Sequence, residues 1–219
     1  MEIMEVKRLD HLGVVMGVIK ELGIIRMIDD RIKPDSRENV TTGEAIAAMI
    51  LCGLGFTESP LSLTPQFFTH KAIENLFGEK VEADQFNRFK LGRSLDDAFE
   101  YGCDLLFAEV AKEACVREGV QTQFVSGDTT TFSVTGEYDK STDEQAVTLT
   151  HGYSKDHRPD LKQVVQEMLV SQDGGVPIMQ SCFDGNISDN VVLKKRANQL
   201  IQEFKAAGKP WWFVADSKL

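Results

Sequence analysis

Asp128 and Asp216 are the residues of this 219-residue chain whose setting points to chemistry. Each follows apolar residues, Phe124-Val125 before the first and Trp211 to Ala215 before the second, so each acid is expected to emerge from a buried strand. Brought to one edge of a sheet, two carboxylates repel, and without a counter-charge one of them takes up a proton. A divalent cation removes that conflict, and magnesium in particular prefers oxygen ligands while keeping water or phosphate in its remaining positions. Two such ions about 3.5 to 4 Å apart can orient an attacking hydroxyl and stabilise the leaving oxygen of a phosphodiester. The plainer reading stands beside this one. An Asp in a Thr run is commonly a turn or cap residue, and an Asp after an apolar strand commonly starts a loop.

The elements that must position the two acids lie in the second half of the chain. Gln121 to Val134 is rich in Thr, Val and Phe and reads as a strand interrupted near Gly127. Lys162 to Ser171 alternates, with Val164, Gln166, Met168 and Val170 on one side and Val165, Glu167 and Leu169 on the other. Asp173-Gly174-Gly175 turns it into Val176 to Phe183, a hairpin. Ser188 or Asp189 caps a helix with Leu193, Ala197, Leu200 and Phe204 inward, ended by Gly208 and Pro210, and Trp211 to Ala215 is the last strand. A right-handed crossover through that helix can set the last strand parallel to the first, which would bring Asp128 and Asp216 to one edge.

Residues 1–118 read as a helical bundle. Leu9, Leu12, Met16 and Ile19 recur at helical steps, Gly23 interrupts, and Ile24, Ile25 and Ile28 continue. Thr41-Thr42-Gly43-Glu44 is a capping box opening a helix through Leu54. Ser59-Pro60 is a cap and first-turn pair. Asp84 is expected to cap a short helix bearing Phe86 and Phe89, and Ser94 to open a long one with the stripe Leu95, Phe99, Cys103, Leu106, Val110, Ala114. Aromatic and Met positions here fall at helical spacing and are assigned to the core. The fold class is therefore α+β, with a helical domain over 1–118 and a strand-bearing domain over 119–219.

Composition narrows the functional classes. A hydrophobic fraction of 42% excludes a disordered chain. The uncharged run from Ala45 to Thr57 is too short for a membrane helix, which needs about 20 residues, and the acidic N-terminus fits no secretion or transit signal; a cytoplasmic location is expected. Cys52, Cys103, Cys115 and Cys182 have no zinc-like spacing and are read as buried thiols. The net charge of -10 argues against nucleic-acid binding, though it is unevenly spread: residues 1–150 hold 15 basic against 26 acidic residues, and 151–219 hold 9 against 8. His151 and His157 lack further ligands at zinc spacing, and His11 and His70 are read as surface or cap residues. Glu137 to Glu144 is read as a solvated acidic loop.

The run Ser126-Gly127-Asp128-Thr129-Thr130-Thr131, the segment from His151-Gly152-Tyr153-Ser154-Lys155-Asp156-His157-Arg158 through Pro159 to Gln163, the loop Gly185-Asn186-Ile187-Ser188-Asp189 and the closing Val214-Ala215-Asp216-Ser217 resemble bacterial insertion-sequence transposases of the IS-four-like superfamily. The resemblance spans the whole chain and is most specific over His151 to Gln163. It implies an RNase H-like catalytic domain after a helical N-terminal region, here in the incomplete form of three strands, a helix and a fourth strand. It maps the first two acids of an Asp-Asp-Glu site onto Asp128 and Asp216, holding Mg2+ or Mn2+ for DNA cleavage and strand transfer. The implied partners are DNA, as element terminal inverted repeats and target, and further copies of the chain; no membrane is implied.

Two departures qualify the expectation. The family's third acid comes well after the second, and no residue here can be assigned to it; Asp184 and Asp189 precede the crossover helix and read as turn and cap residues. These 219 residues are therefore expected to be inactive in cleavage. Basic residues able to touch phosphates are confined to Lys155, His157, Arg158 and Lys162, and to Lys194-Lys195-Arg196, the latter read as the wet face of an amphipathic helix. Two alternatives stay open. A haloacid-dehalogenase-like phosphatase would use Asp128 as nucleophile, although its usual second acid two positions on is Thr130 here; a non-catalytic remnant would bind DNA or a partner only.

Overall fold

The structure, a computed structural model, describes residues 6–55, 59–138, 146–153, 157–207 and 212–215, with the backbone alone over 201–207. The fold is α+β: helices first, then a mixed four-stranded sheet with one long helix. Two compact units divide between Leu106 and Phe107, inside a helix.

In the first unit, α1 (Leu12–Leu22) and α2 (Ile24–Arg31) are separated at Gly23, whose left-handed φ of 75° suits a residue without Cβ. Then α3 (Thr42–Leu54) opens with the capping box read from the sequence: Thr41 Oγ1 accepts from the Glu44 N–H at 3.0 Å, and Glu44 Oε2 accepts from the Thr41 N–H at 2.8 Å. Replacing Thr41 by Ala strands one orphan donor and is expected to cost about 1 kcal/mol, read as a lower urea midpoint. Its small residues Ala45, Ala47 and Ala48 are fully buried, with Leu51 beside them. Short helices α4 (Thr64–Phe68) and α5 (Ile73–Phe77) follow, bringing Phe68, Phe77 and Phe86 into ring contact at centroid distances of 4.8–6.0 Å.

Several expectations for this half need correction. Asp84 caps nothing; a 3-10 turn over Ala83–Phe86 is capped by Glu82, and α6 (Arg88–Tyr101) starts at Asn87, whose Oδ1 accepts from the Phe89 and Lys90 N–H groups. Ser94 lies buried inside α6 rather than opening it, and Gly102, at φ 101°, ends it before α7 (Cys103–Glu118). The stripe from Leu95 to Ala114 stayed in helical step across that break, which is why periodicity alone ran the two helices together. Phe89 at 63% and Phe99 at 41% are exposed rather than core. Pro60, not Ser59, is the residue preceding the first 3-10 turn (Leu61–Leu63), which has no side-chain cap. Of the four cysteines, none disulfide-bonded, only Cys115 is fully buried, and burial pushes its thiol up; Cys103 and Cys182 are exposed.

The second unit contains β1 (Phe124–Val134), β2 (Lys162–Ser171), β3 (Pro177–Asp184), α8 (Asp189–Ala207) and β4 (Trp212–Ala215), with strand order β3-β2-β1-β4. The first three strands form an antiparallel meander, and β4 returns parallel to β1, as a crossover through α8 requires. The β2–β3 turn uses Gly174 and Gly175 at φ 75° and 64°. Alternation is strict on β1: Val125, Gly127, Thr129 and Thr131 are buried, while Phe124, Asp128, Thr130 and Phe132 are exposed. Buried Val125 and Leu169 pack with Leu200 of α8, and Phe213 joins them from β4. The expected interruption at Gly127 is absent. That glycine is inside a continuous strand because the Phe213 ring crosses it; a Cβ there would lie 2.7 Å from Phe213 Cε2. Gly127→Ala is therefore expected to push β4 off the sheet, costing about 1–3 kcal/mol and quenching or shifting the tryptophan emission that reports on this unit.

Among the described residues, no helix is long and apolar enough to cross a membrane.

Candidate functional site

Asp128 sits in the middle of β1 on the exposed sheet face, opposite Met168 of β2. Its Oδ1 accepts the N–H of Thr129 at 2.7 Å, which fixes the carboxylate against its own strand. The register on the other side is Val125 with Phe213, Ser126 with Val214 and Gly127 with Ala215. Asp216 is the next residue after Ala215 and lies outside the described residues. The same face carries Phe124, stacked on Trp212 at a centroid distance of 5.8 Å and 7° between planes. Among the described residues no three His, Cys, Asp or Glu side chains converge as a metal-holding group.

The basic residues assigned to DNA precede β2 in the sequence or open it. Lys155 lies outside the described residues. His157 adopts a left-handed φ of 57°, a conformation in which His is enriched among non-glycine residues. Arg158 is exposed and makes a two-pronged pair with Asp160, Nε to Oδ1 at 2.9 Å and Nη2 to Oδ2 at 2.8 Å; the pairing raises the guanidinium and holds the Asp160 carboxyl below its usual range. Lys162 donates to the Tyr138 carbonyl and, opposite Val134, occupies the Asp128 face of the sheet. His11 is at the N-cap position of α1, where its Nε2 donates to the Leu54 carbonyl at 2.7 Å.

The acids weighed as substitutes lie in regular elements rather than in the loop between them: Asp184 is the last residue of β3 and Asp189 the first of α8. Asp184 accepts the Thr148 N–H at 2.7 Å, and its register with Val164 puts it two strands and four positions from Asp128. Asp189 is in the first turn of α8. The acidic loop beyond Tyr138, residues 139–145, lies outside the described residues.

Sequence reasoning missed the residues that hold this framework together. Gln163, 1% exposed, donates from Nε2 to the carbonyls of Gly185 (2.8 Å) and Tyr153 (3.1 Å). Thr150 and Gln163 exchange backbone hydrogen bonds, and the Gly185 N–H donates to Thr148. The segments 148–153 and 184–188, which overlap the family-like runs, are thus laced onto the start of β2. The Lys194-Lys195-Arg196 triplet also needs correction: Lys194 and Lys195 are exposed, but Arg196 is buried against Glu167. Its signal was available, since Arg196 falls three to four residues from Val192, Leu193 and Leu200, on the apolar stripe.

Residues 4–112 match the model of a family described as a domain of unknown function, DUF4277. The match takes in the helical unit, just under half of the chain, and stops within α7 before β1 begins. No curated protein and no solved structure matches the chain.

Proposed function

We propose that this chain belongs to a DNA transposase of the insertion-sequence kind, with an RNase H-like sheet on which Asp128 and Asp216 hold Mg2+ or Mn2+. The observation that supports it is the register of two parallel neighbouring strands, in which Gly127 faces Ala215 and the acids are the next residues on each. Side chains alternate on a strand, and Trp212 and Val214 share the exposed face with Phe124 and Asp128. A strand continued by one residue would present Asp216 on that same face. An exposed carboxylate flanked by the hydroxyls of Ser126 and Thr130 is the hard oxygen donor set such a cation takes.

A bound divalent cation would neutralise both carboxylates and polarise a phosphodiester. Asp128 contributes its oxygen from a strand held on both sides, by β2 and β4, so little reorganisation accompanies binding. Lys162 places a positive charge on the same face, suited to the DNA backbone, and Lys155, His157 and Arg158, which precede it in the sequence, are the further basic residues of this reading. Inverted repeats and target DNA are the substrates of this reading, with assembly of several copies around the DNA.

Manganese titration followed by electron paramagnetic resonance tests the site. The chain is expected to bind Mn2+, and Asp128→Asn or Asp216→Asn to lose at least about tenfold in affinity. Unchanged binding in Asp128→Asn would refute it. Hydrolysis of a small phosphomonoester, abolished by the same substitution, would point instead to the phosphatase alternative.

A further inference from the structure

We propose that the buried Glu167–Arg196 ion pair is a positioning device that sets the register of β4 beside Asp128, an inference that rests on reading Asp128 and Asp216 as a cation site. Glu167 is fully buried on β2 opposite Thr129, so it lies behind Asp128 on the other face of the sheet. Arg196 is on α8, the helix that leads to β4. Its Nε and Nη2 donate to Glu167 Oε2 at 2.9 and 2.7 Å, Nη2 also to Ser181 Oγ of β3 at 3.0 Å, and Nη1 to Gln199 Oε1 at 3.0 Å. One guanidinium therefore ties the crossover helix to two strands.

Stability does not account for this arrangement. A buried ion pair is commonly no better than well-packed hydrocarbon, because desolvation offsets the attraction. Here Glu167 Oε1 has no hydrogen-bond partner among the described residues, a further penalty that an apolar residue would avoid. Specificity accounts for it better. The neighbouring layer of Val125, Leu169 and Leu200 can be shifted and repacked at modest cost, since apolar contacts are non-directional. A slip of β2 by one residue would swing Glu167 to the exposed face. A slip of α8 by one residue would rotate Arg196 by about 100°. Either leaves a buried charge without its partner.

The strand that follows needs such a guide. Four residues of β4 pair with β1, and only Phe213 and Ala215 point into the core side. That short pairing sets its own register weakly, so the position of α8 decides where β4 lies beside β1.

The double substitution Glu167→Leu with Arg196→Leu separates positioning from stability. The 219-residue chain carrying it is expected to unfold cooperatively at a urea midpoint close to the parent's. Amides of Trp212 to Ala215 are expected to exchange about tenfold faster, and Mn2+ affinity to fall about fivefold or more. Parent-like exchange in β4 together with parent-like Mn2+ affinity would overturn the proposal. If the parent binds no Mn2+, or Asp128→Asn binds as tightly, the cation-site reading fails, and the exchange rates alone decide whether the pair guides β4. Should the double variant not fold, Glu167→Gln, which keeps the volume and one acceptor for Arg196, is read by the same exchange measurement: faster exchange confined to β4 supports the proposal, and unchanged exchange refutes it.

Discussion

Gly185→Ala is expected to unfold the sheet-bearing unit. The Cβ it adds would fall within the van der Waals surface of the Gln163 carbonyl oxygen and 2.6 Å from that of Thr150, both backbone atoms already committed to hydrogen bonds. Neither can retreat without breaking the pairing of Thr150 with Gln163, so the loss is expected to reach about 3 kcal/mol or more. Gly152→Ala meets the Gly185 carbonyl in the same way and lies 2.7 Å from Gln163 Nε2, and a similar loss is expected. Both tryptophans, Trp211 and Trp212, belong to this unit, so urea unfolding followed by tryptophan fluorescence reads it directly. Gly17→Ala, a helical position where an added Cβ meets nothing within 4 Å, is the control and should leave that transition in place. A parent-like midpoint for Gly185→Ala would show that the loops are not packed as described.

Arg196→Met is expected to be the most damaging change in the basic triplet. It leaves Glu167 charged and buried without its partner, at a cost of about 3–5 kcal/mol, whereas Lys195→Met on the exposed side should stay within about 0.5 kcal/mol. The measurement is again the urea midpoint. Equal effects from the two substitutions would mean that the charge of residue 196 reaches water.

These two expectations mark where sequence reasoning stops. Local chemistry was legible: the Thr41–Glu44 box and the Gly23 break each involve residues within four positions of one another, and both form as read. The order of three strands, a helix and a parallel fourth strand followed from alternation, a glycine turn and crossover handedness. Gly185 and Gln163, by contrast, are 22 positions apart, and Glu167 and Arg196 are 29 apart. Nothing periodic in either segment names its partner. Glu167 sits between Val165 and Leu169 on one side of a strand whose two faces look alike in composition, so only a pairing of one misplaced acid with one misplaced base would have found the contact. Gly127 was read as a break for the same reason, because the ring that requires it, Phe213, comes from the far end of the unit. The candidate site was legible to the extent that an apolar strand ending in an acid is a local pattern. The helix-face reading of the basic triplet held for Lys194 and Lys195 and failed for Arg196, which turns to the sheet side.

The parallel pairing of β1 with β4 joins segments far apart in the chain, Phe124 pairing with Trp212, through four residue pairs among the described residues. Bringing together ends so remote costs more chain entropy than closing either hairpin of the meander. On the ribosome the three-strand meander can assemble while the crossover helix is still emerging, and the last strand docks afterwards, against a surface already formed. The edge of β1 therefore stays open until β4 itself has been made, and during that interval another copy's strand can occupy it.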